Sequence, residues 1–351
     1  MRSQNLLDVI KIASAYAGTI IGAGFASGQE LLQFFVVYGT VGFGGIILAG
    51  ILFAWLGYRI LELGHRLNAT GYHQLLYYAC GKKAALFLDS IITVFLFSVL
   101  TIMLSGTGTM FQDHFHLPYS LGTGVIGILA FCTVLYGIRG ITVMNMGMLP
   151  LLTLSTLSVG IYSLAYHGLS TDMLVNVVPY DPQNGSHWLI ASILYVSYNL
   201  IIGSTVLAPL GPHIRSRKLR FWGSIAGGFL ITILAGFIAI IVMIHCPDIL
   251  NYEIPMLHIA GMQHKINSTS YVCMFLIAMY TTAATTLYAC AGQLSHVTKL
   301  SFPLCSLIII ATGMLCSQLG FSVLISWVFP AVGYLALYFI VRLGYLAFLS
   351  K

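Results

Sequence analysis

Charge is what this chain has least of. Only 7% of its 351 residues are Asp, Glu, Lys or Arg, against about 25% in an average soluble domain. So few charges cannot cover the surface of a water-soluble fold of this length, and a soluble globular protein is excluded. Cysteine is no scaffold either. Cys80, Cys132, Cys246, Cys273, Cys290, Cys305 and Cys316 are odd in number, form no CxxC and lie mostly inside apolar runs. They read as small apolar fillers, which argues against a disulfide framework or a thiolate metal site. His114 and His116 make a lone HxH with no third ligand nearby, the pattern of water-facing loop histidines. No GxxxxGK[ST] phosphate loop, GxSxG or HExxH occurs, and no two acids stand at a catalytic spacing. Neither ATP-driven work within this chain, nor an enzyme, nor a bound cofactor is expected. Met1–Asp8 is polar and the first apolar stretch is too long for a signal-peptide core, so no cleavable leader is expected.

What the chain does have is hydrophobicity: 58% of residues, at a mean hydropathy of +0.93. Apolar runs long enough to cross a bilayer separate cleanly. They predict an all-α polytopic membrane protein with ten transmembrane helices, at about 8–38, 40–63, 83–110, 119–138, 140–166, 187–211, 220–245, 266–291, 298–318 and 321–347. The division between spans 4 and 5, at Gly137, Arg139 and Gly140, is settled by charge. With ten spans, Arg2, Lys11, Arg59, Arg66, Lys82, Lys83, Arg139, Arg215, Arg217, Lys218, Arg220, Lys299, Arg342 and Lys351 all fall on one side. Lys265 alone falls on the other, with Asp113, Asp172, Asp181, Asp248 and Glu253. Merging spans 4 and 5 scrambles this order. The positive-inside rule then puts both termini in the cytoplasm of a multi-pass protein of the cell membrane. It also makes the basic run at 215–220 a topological anchor and not a nucleic-acid patch. The longest connections, about 64–82, 167–186 and 246–265, contain no soluble domain. The second is punctuated by Pro179, Asp181 and Pro182. The third holds Glu253-Ile-Pro255-Met-Leu-His-Ile-Ala, whose apolar spacing suits a short helix on the external surface, as a lid or as a static interfacial loop.

Span 1 breaks the pattern. It reads Gly18-Thr-Ile-Ile-Gly22-Ala-Gly24-Phe-Ala-Ser27-Gly28-Gln29-Glu30. Lipid offers no hydrogen bonds, so non-helical backbone at membrane depth survives only where protein buries it or a cavity receives it. Interruption of the helix frees carbonyls that can hold a cation, and N–H groups that can meet an anionic group. The same glycines also fit small-xxx-small packing, as Gly18-xxx-Gly22 and Gly24-xxx-Gly28. Ten spans divide into five plus five, and an odd number per half inverts one half relative to the other. The expected repeats are about 8–166 and 187–347. Ile201-Ile202-Gly203-Ser204 in span 6 echoes Ile20-Ile21-Gly22-Ala23, half a chain away, so breaks are expected in both spans 1 and 6.

The phrase Gly22-Ala-Gly-Phe-Ala-Ser-Gly-Gln-Glu30, opening a ten-span chain of about 350 residues, resembles the YkvI family of bacterial membrane proteins; Ile254-Pro255-Met256-Leu257 fits the same family. That family is similar to the amino acid–polyamine–organocation superfamily, whose members share the LeuT fold. The resemblance implies this fold, a bacterial inner membrane and alternating-access transport, without naming the solute. It also implies where sodium would sit. Position by position, the ligands are the carbonyls of Gly18 and Ile21 in span 1, the hydroxyls of Thr281 and Thr282 in span 8, and a carbonyl near Ala278. The alternative for threonines in a membrane helix is bonding to carbonyls of their own helix. Residues 140–166 contain no Lys, which departs from the superfamily's proton-coupled members with a lysine on span 5 and favours Na+ over that form of H+ coupling.

Substrate contacts are expected from Gly22, Ala23, Gly24, Phe25, Ala26 and Ser27 in span 1, and from Ser197, Tyr198, Asn199, Gly203 and Ser204 in span 6. Phe97, Ser98 and Thr101 in span 3 complete the set. Such a lining, neutral with aromatic walls, suits a small zwitterion or polar organic solute. Glu30 is the coupling or gating candidate. An acid at bilayer depth costs about 2.5–3.5 kcal/mol on insertion scales, so it should face a wet cavity. There it carries a proton, attracts a cationic group or gates the vestibule; otherwise span 1 exits early and leaves it among headgroups. Asp89 reads as a paired acid near the cytoplasmic face. The expected function is secondary transport of an amino acid or amine-like solute, coupled to Na+ or H+. A receptor with the same site, or a channel, is the alternative. The partners are the solute and the bilayer; no nucleic acid is expected, and no feature assigns an oligomeric state.

Overall fold

The computed structural model describes residues 2–135, 138–168 and 187–349. Gly137 and the 169–186 connection, with Asp172, Pro179, Asp181 and Pro182, lie outside the described residues, as does the Arg139 side chain. All regular elements among the described residues are helices. Span 1 comprises α1 (Arg2–Ile20), α2 (Ala23–Ala26) and α3 (Gln29–Phe34). After it come α4 (Val41–Arg66), α5 (Tyr72–Cys80), α6 (Lys82–Asp113), α7 (Tyr119–Leu135) and α8 (Ile138–His167). The second half holds α9 (His187–Leu210), α10 (Arg217–Ile244), α11 (Pro255–Gly261), α12 (Lys265–Thr298), α13 (Phe302–Cys316) and α14 (Phe321–Leu349).

Seven of these (α4, α6, α9, α10, α12, α13 and α14) are long and apolar enough to cross a membrane. α7 and the Pro150–Tyr166 part of α8 are shorter apolar helices. The outer surface is apolar, with Trp327, Phe229, Ile128 and Leu154 among its exposed residues, as a bilayer requires. The chain is a multi-pass membrane protein.

Two helix groups organise the bundle. α4 packs along α9 and α10, and α1 lies against α10; α12 packs along α6 and α8. α14 touches both groups, through α9 and α6. At the basic end the first group is clamped by a buried ion pair. Glu62 Oε2 accepts from Arg220 Nε at 3.0 Å and Nη2 at 2.9 Å, while Glu62 Oε1 accepts from Arg66 Nε at 3.1 Å. Arg220 Nη1 donates to the Ile214 carbonyl at 2.5 Å, which ties the α9–α10 connection to the same point. The expected long loop at 64–82 is mostly α5. Tyr72 donates to Asp89 Oδ1 at 2.6 Å, with His73 Nδ1 3.3 Å from the same oxygen, so Asp89 is a paired acid.

α9 corrects an expectation. His187–Leu210 is a single continuous helix, without a break at Gly203. Its polar side chains are the reason. Ser197 donates to Ile193 O, Asn199 Nδ2 to Tyr195 O, Ser204 to Ile201 O and Thr205 to Ile202 O. Hydroxyls and amides at bilayer depth are thus satisfied by carbonyls of their own helix, and no unwinding is needed to accommodate them.

Candidate functional site

The site grows from the interruption of span 1. Ile21 N–H still donates to Ala17 O at 2.8 Å, but Gly22 N–H turns to Ile20 O at 3.0 Å. That turn withdraws the donor a continuous helix would offer the Gly18 carbonyl. Gly22 is extended (φ −111°, ψ −170°) and precedes the four-residue α2, in which Ala23, Gly24, Phe25 and Ala26 are all buried. Gly28 then adopts φ +79°, a left-handed conformation that favours glycine.

Carbonyls exposed at the end of α2 find partners from distant elements. Tyr271 of α12 donates its hydroxyl to Ala26 O at 3.0 Å. Met256 N–H, in α11, donates to Ser27 O at 3.0 Å. Ser27 Oγ donates to Gly24 O and accepts from Gln29 N–H at 3.1 Å. The short surface helix expected around Glu253–Ala260 is therefore seated directly on the interruption. Its own anchor is Glu253, whose Oε2 accepts from Phe321 N–H at 2.6 Å, at the start of α14, and from Thr109 Oγ1 at 3.2 Å, near the end of α6. His258 of α11 stacks on Tyr252, ring centroids 3.5 Å apart. Burial holds its pKa below the usual imidazole range, an effect Asp248 opposes.

Glu30 is 6% exposed; it lies inside the protein, not among headgroups. Its carboxyl folds back over α2 so closely that a methyl on Gly24 would collide with Oε1. The other oxygen, Oε2, accepts from the Tyr198 hydroxyl of α9 at 2.8 Å. Around that hydroxyl stand rings from four helices. Tyr198 lies 5.6 Å from Phe34, 6.0 Å from Phe95, 4.7 Å from Phe329 and 5.5 Å from Tyr195, centroid to centroid. Among the described residues no basic side chain forms an ion pair with Glu30.

The remaining expected residues divide. Ser197, Asn199 and Ser204 point back to their own helix, as above. Gly203 faces α1, where a methyl would come within 3.7 Å of Thr19 Oγ1. From α6 it is Phe95, not Phe97, that meets Tyr198. Ser98 donates to Val94 O at 2.9 Å. Thr101 donates to Phe97 O and lies beside Gly313 of α13, so it faces away from the interruption. In α12, Thr281 donates to Ala278 O at 3.1 Å, Thr285 to Thr281 O and Thr286 to Thr282 O. These are the own-helix bonds that threonine favours in membrane helices. The buried Thr281 hydroxyl and Ala278 carbonyl do form a pair of neighbouring oxygens, on the helix that packs against α2. No cluster of three or more His, Cys, Asp or Glu suited to a metal occurs among the described residues.

Beyond Glu30, toward the acidic end, opens a cavity of about 310 Å3, lined by Gln29, Gln33, Asn251, Tyr252, Glu253 and Ser322, among others. Sequence reasoning missed most of this neighbourhood. Phe34 stands four residues after Glu30 and Tyr195 three before Tyr198, spacings that put each pair on one helix face. Phe95, Phe329 and Tyr271 arrive from other helices and carry no local signal.

Comparison with known proteins agrees with this geometry. No protein-family model matches the chain. The membrane protein YkvI of Bacillus subtilis (strain 168) is 27% identical over 332 residues, 94% of this chain and 93% of that protein. YyaD of the same organism is 25% identical over 336 residues, 95% of each chain. Among solved structures, Mhp1 in an inward-facing conformation aligns with a TM-score of 0.61, 17% identity, 95% of this chain and 75% of that one. MhsT in complex with L-phenylalanine aligns with a TM-score of 0.60, 17% identity, 94% of this chain and 85% of that one. A manganese transporter of Eremococcus coleocola aligns at 0.56 with 12% identity, over 95% of this chain and 76% of that one.

Proposed function

As a homologue of YkvI built on the LeuT fold of Mhp1 and MhsT, the chain is, we propose, a secondary transporter that moves a small organic solute by alternating access. One observation carries this reading: an interrupted span meets, at Glu30 and Tyr198, an unbroken helix from the other half of the chain. Opening and closing around such a point needs one deformable partner and one rigid one. α1–α2–α3 supplies hinges at Gly22 and Gly28, and α9 supplies the fixed wall.

In this reading ten spans form two inverted repeats, about 8–166 and 187–347, and both termini are cytoplasmic. The acidic end, with Asp113, Asp248 and Glu253, is the outer face of a bacterial cell membrane. The substrate lies between α2 and Tyr198, and α11 closes over it. Na+ or H+ is the coupling ion. For Na+, the Gly18 and Ile21 carbonyls, the Ala278 carbonyl and the Thr281 and Thr282 hydroxyls are the ligands we assign. The withdrawn helical donor of Gly18 O and the paired oxygens of Thr281 and Ala278 support that assignment. Sodium is a hard cation that an all-oxygen set suits.

Purified protein in liposomes tests the reading. It is expected to concentrate radiolabelled amino acids or amines against their gradient when a Na+ or H+ gradient is imposed. Saturable binding without flux would identify a receptor, and non-saturating passive flux a channel; either overturns transport. For the ion, Thr282→Ala is expected to raise the Na+ concentration needed for uptake, and uptake that is equal with and without Na+ refutes sodium coupling.

A further inference from the structure

We propose that the solute taken at this site is an organic monocation, an amine in its ammonium form, with Glu30 as its counter-charge; this rests on the transport reading above. The reasoning starts from charge balance. A carboxylate removed from water needs a positive partner or several strong donors. Glu30 receives one hydrogen bond, from Tyr198, and no basic side chain among the described residues pairs with it. The chain instead surrounds the Tyr198 end of the carboxyl with Phe34, Phe95, Tyr195 and Phe329. Ring faces attract cations and repel anions. A carboxylate beside several aromatic faces is a pairing that selects positive charge twice over.

The approach from the acidic end has the same character. The cavity beyond Glu30 is lined by no Lys, Arg or His, and it includes the Glu253 carboxylate. Two of its lining residues, Gln29 and Gln33, each keep a buried side-chain oxygen with no donor in reach. Acceptors left over on the way in, and a carboxylate at the end, favour a guest that brings N–H donors and positive charge. An amino-acid zwitterion also brings a carboxylate. That group would need a cationic partner, and none lines the cavity or pairs with Glu30. A cavity of about 310 Å3 sits at the small end of the range for small-molecule sites, which fits a short-chain amine.

Matched probes decide it. The full-length chain, purified in detergent, is titrated with n-propylamine, isoamylamine and phenethylamine, with the three corresponding alcohols, and with L-leucine, which is isoamylamine bearing an added carboxylate. Binding is read by thermal shift and tryptophan fluorescence. At least one amine is expected to bind at least tenfold more tightly than its alcohol, and isoamylamine more tightly than L-leucine. Glu30→Gln is expected to abolish the preference for amine over alcohol, and Glu30→Asp to restore part of it. The restoring variant separates a charge effect from misfolding, which size-exclusion profiles check independently. The proposal is overturned if amines and alcohols bind alike, if no amine binds at millimolar concentration, or if Glu30→Gln keeps the wild-type preference. Amine binding that depends on Glu30 but produces no uptake in liposomes would uphold this proposal and sink the transport reading. Uptake of a neutral or zwitterionic solute that is indifferent to Glu30→Gln would do the reverse.

Discussion

Gly24→Ala is the sharpest probe of the site. The added methyl lands on Glu30 Oε1, which is held in place through Oε2 by the Tyr198 hydroxyl 2.8 Å away. The carboxyl must swing off and the hydroxyl loses its acceptor. Tyr198 is only 2% exposed, so its stranded hydroxyl costs about 1–3 kcal/mol. Replacing glycine with alanine inside a helical turn returns up to about 1 kcal/mol of backbone propensity. The net expectation is a loss of about 1–2 kcal/mol, small enough for the protein still to fold. The partner experiment is Gly24→Ala in a Glu30→Ala background. There the obstacle is already gone, so the methyl should cost nothing or stabilise slightly. A double-mutant cycle on detergent-purified protein, by denaturant titration, should therefore give a coupling of about 1–3 kcal/mol. Coupling below about 0.5 kcal/mol would mean that Gly24 and Glu30 act independently, and the carboxyl would not be seated over α2 as described.

Three further outcomes test the surroundings. Glu62→Gln leaves the buried Arg220 guanidinium without its full counter-charge and is expected to cost about 3–5 kcal/mol, measured by the same titration; a loss under about 1 kcal/mol, the scale of exposed pairs, would show that the clamp is solvated. Tyr271→Phe removes the donor to Ala26 O and should cost about 0.5–1.5 kcal/mol. It should also speed amide exchange across 23–28 more than across α9, and uniform exchange would place the loss elsewhere. His258 has a folded-state pKa depressed by burial, so its neutral form fits the fold. Its contribution is fully present above the ordinary imidazole value of about 6.5 and is lost as the pH falls through the lower, folded value. Exchange protection of 255–261 is expected to decline over that acidic range, and the decline should vanish in His258→Gln.

The membrane fold was legible because hydrophobicity and charge act over whole segments. Fourteen basic residues on alternate connections need no knowledge of packing. The interruption at Gly22 was legible for the opposite reason, since Gly18, Gly22, Gly24 and Gly28 crowd into one stretch with an acid behind them. The same logic misread α9. Serine, threonine and asparagine around Gly203 look like a weak point, yet each such side chain can bond three or four residues back along its own helix. Four of them do. Glycine density distinguishes the two cases where polarity does not: span 1 has four glycines in eleven residues (18–28), and α9 has one. The expectations in α6 failed by helical phase. Phe95 and Phe97 lie about 200° apart around a helix axis, and only packing between α6 and α9 reveals which of them turns inward.

That contrast bears on how the site works. Because the hydroxyls and amide of α9 are spent on its own carbonyls, Tyr198 is its polar side chain that reaches across to span 1. Every other polar tie to the α2 segment comes from elsewhere: Tyr271 on α12 and Met256 on α11. The interruption is thus held by three groups that sit on different elements, with Glu30 facing one and Ala26 and Ser27 facing the others. Movement of α12 or α11 relative to α9 cannot preserve all three contacts at once. A change at Glu30, whether a proton or an ammonium group arriving, loosens the α9 tie while leaving the other two intact. In this arrangement the carboxyl decides which group of helices the short segment follows.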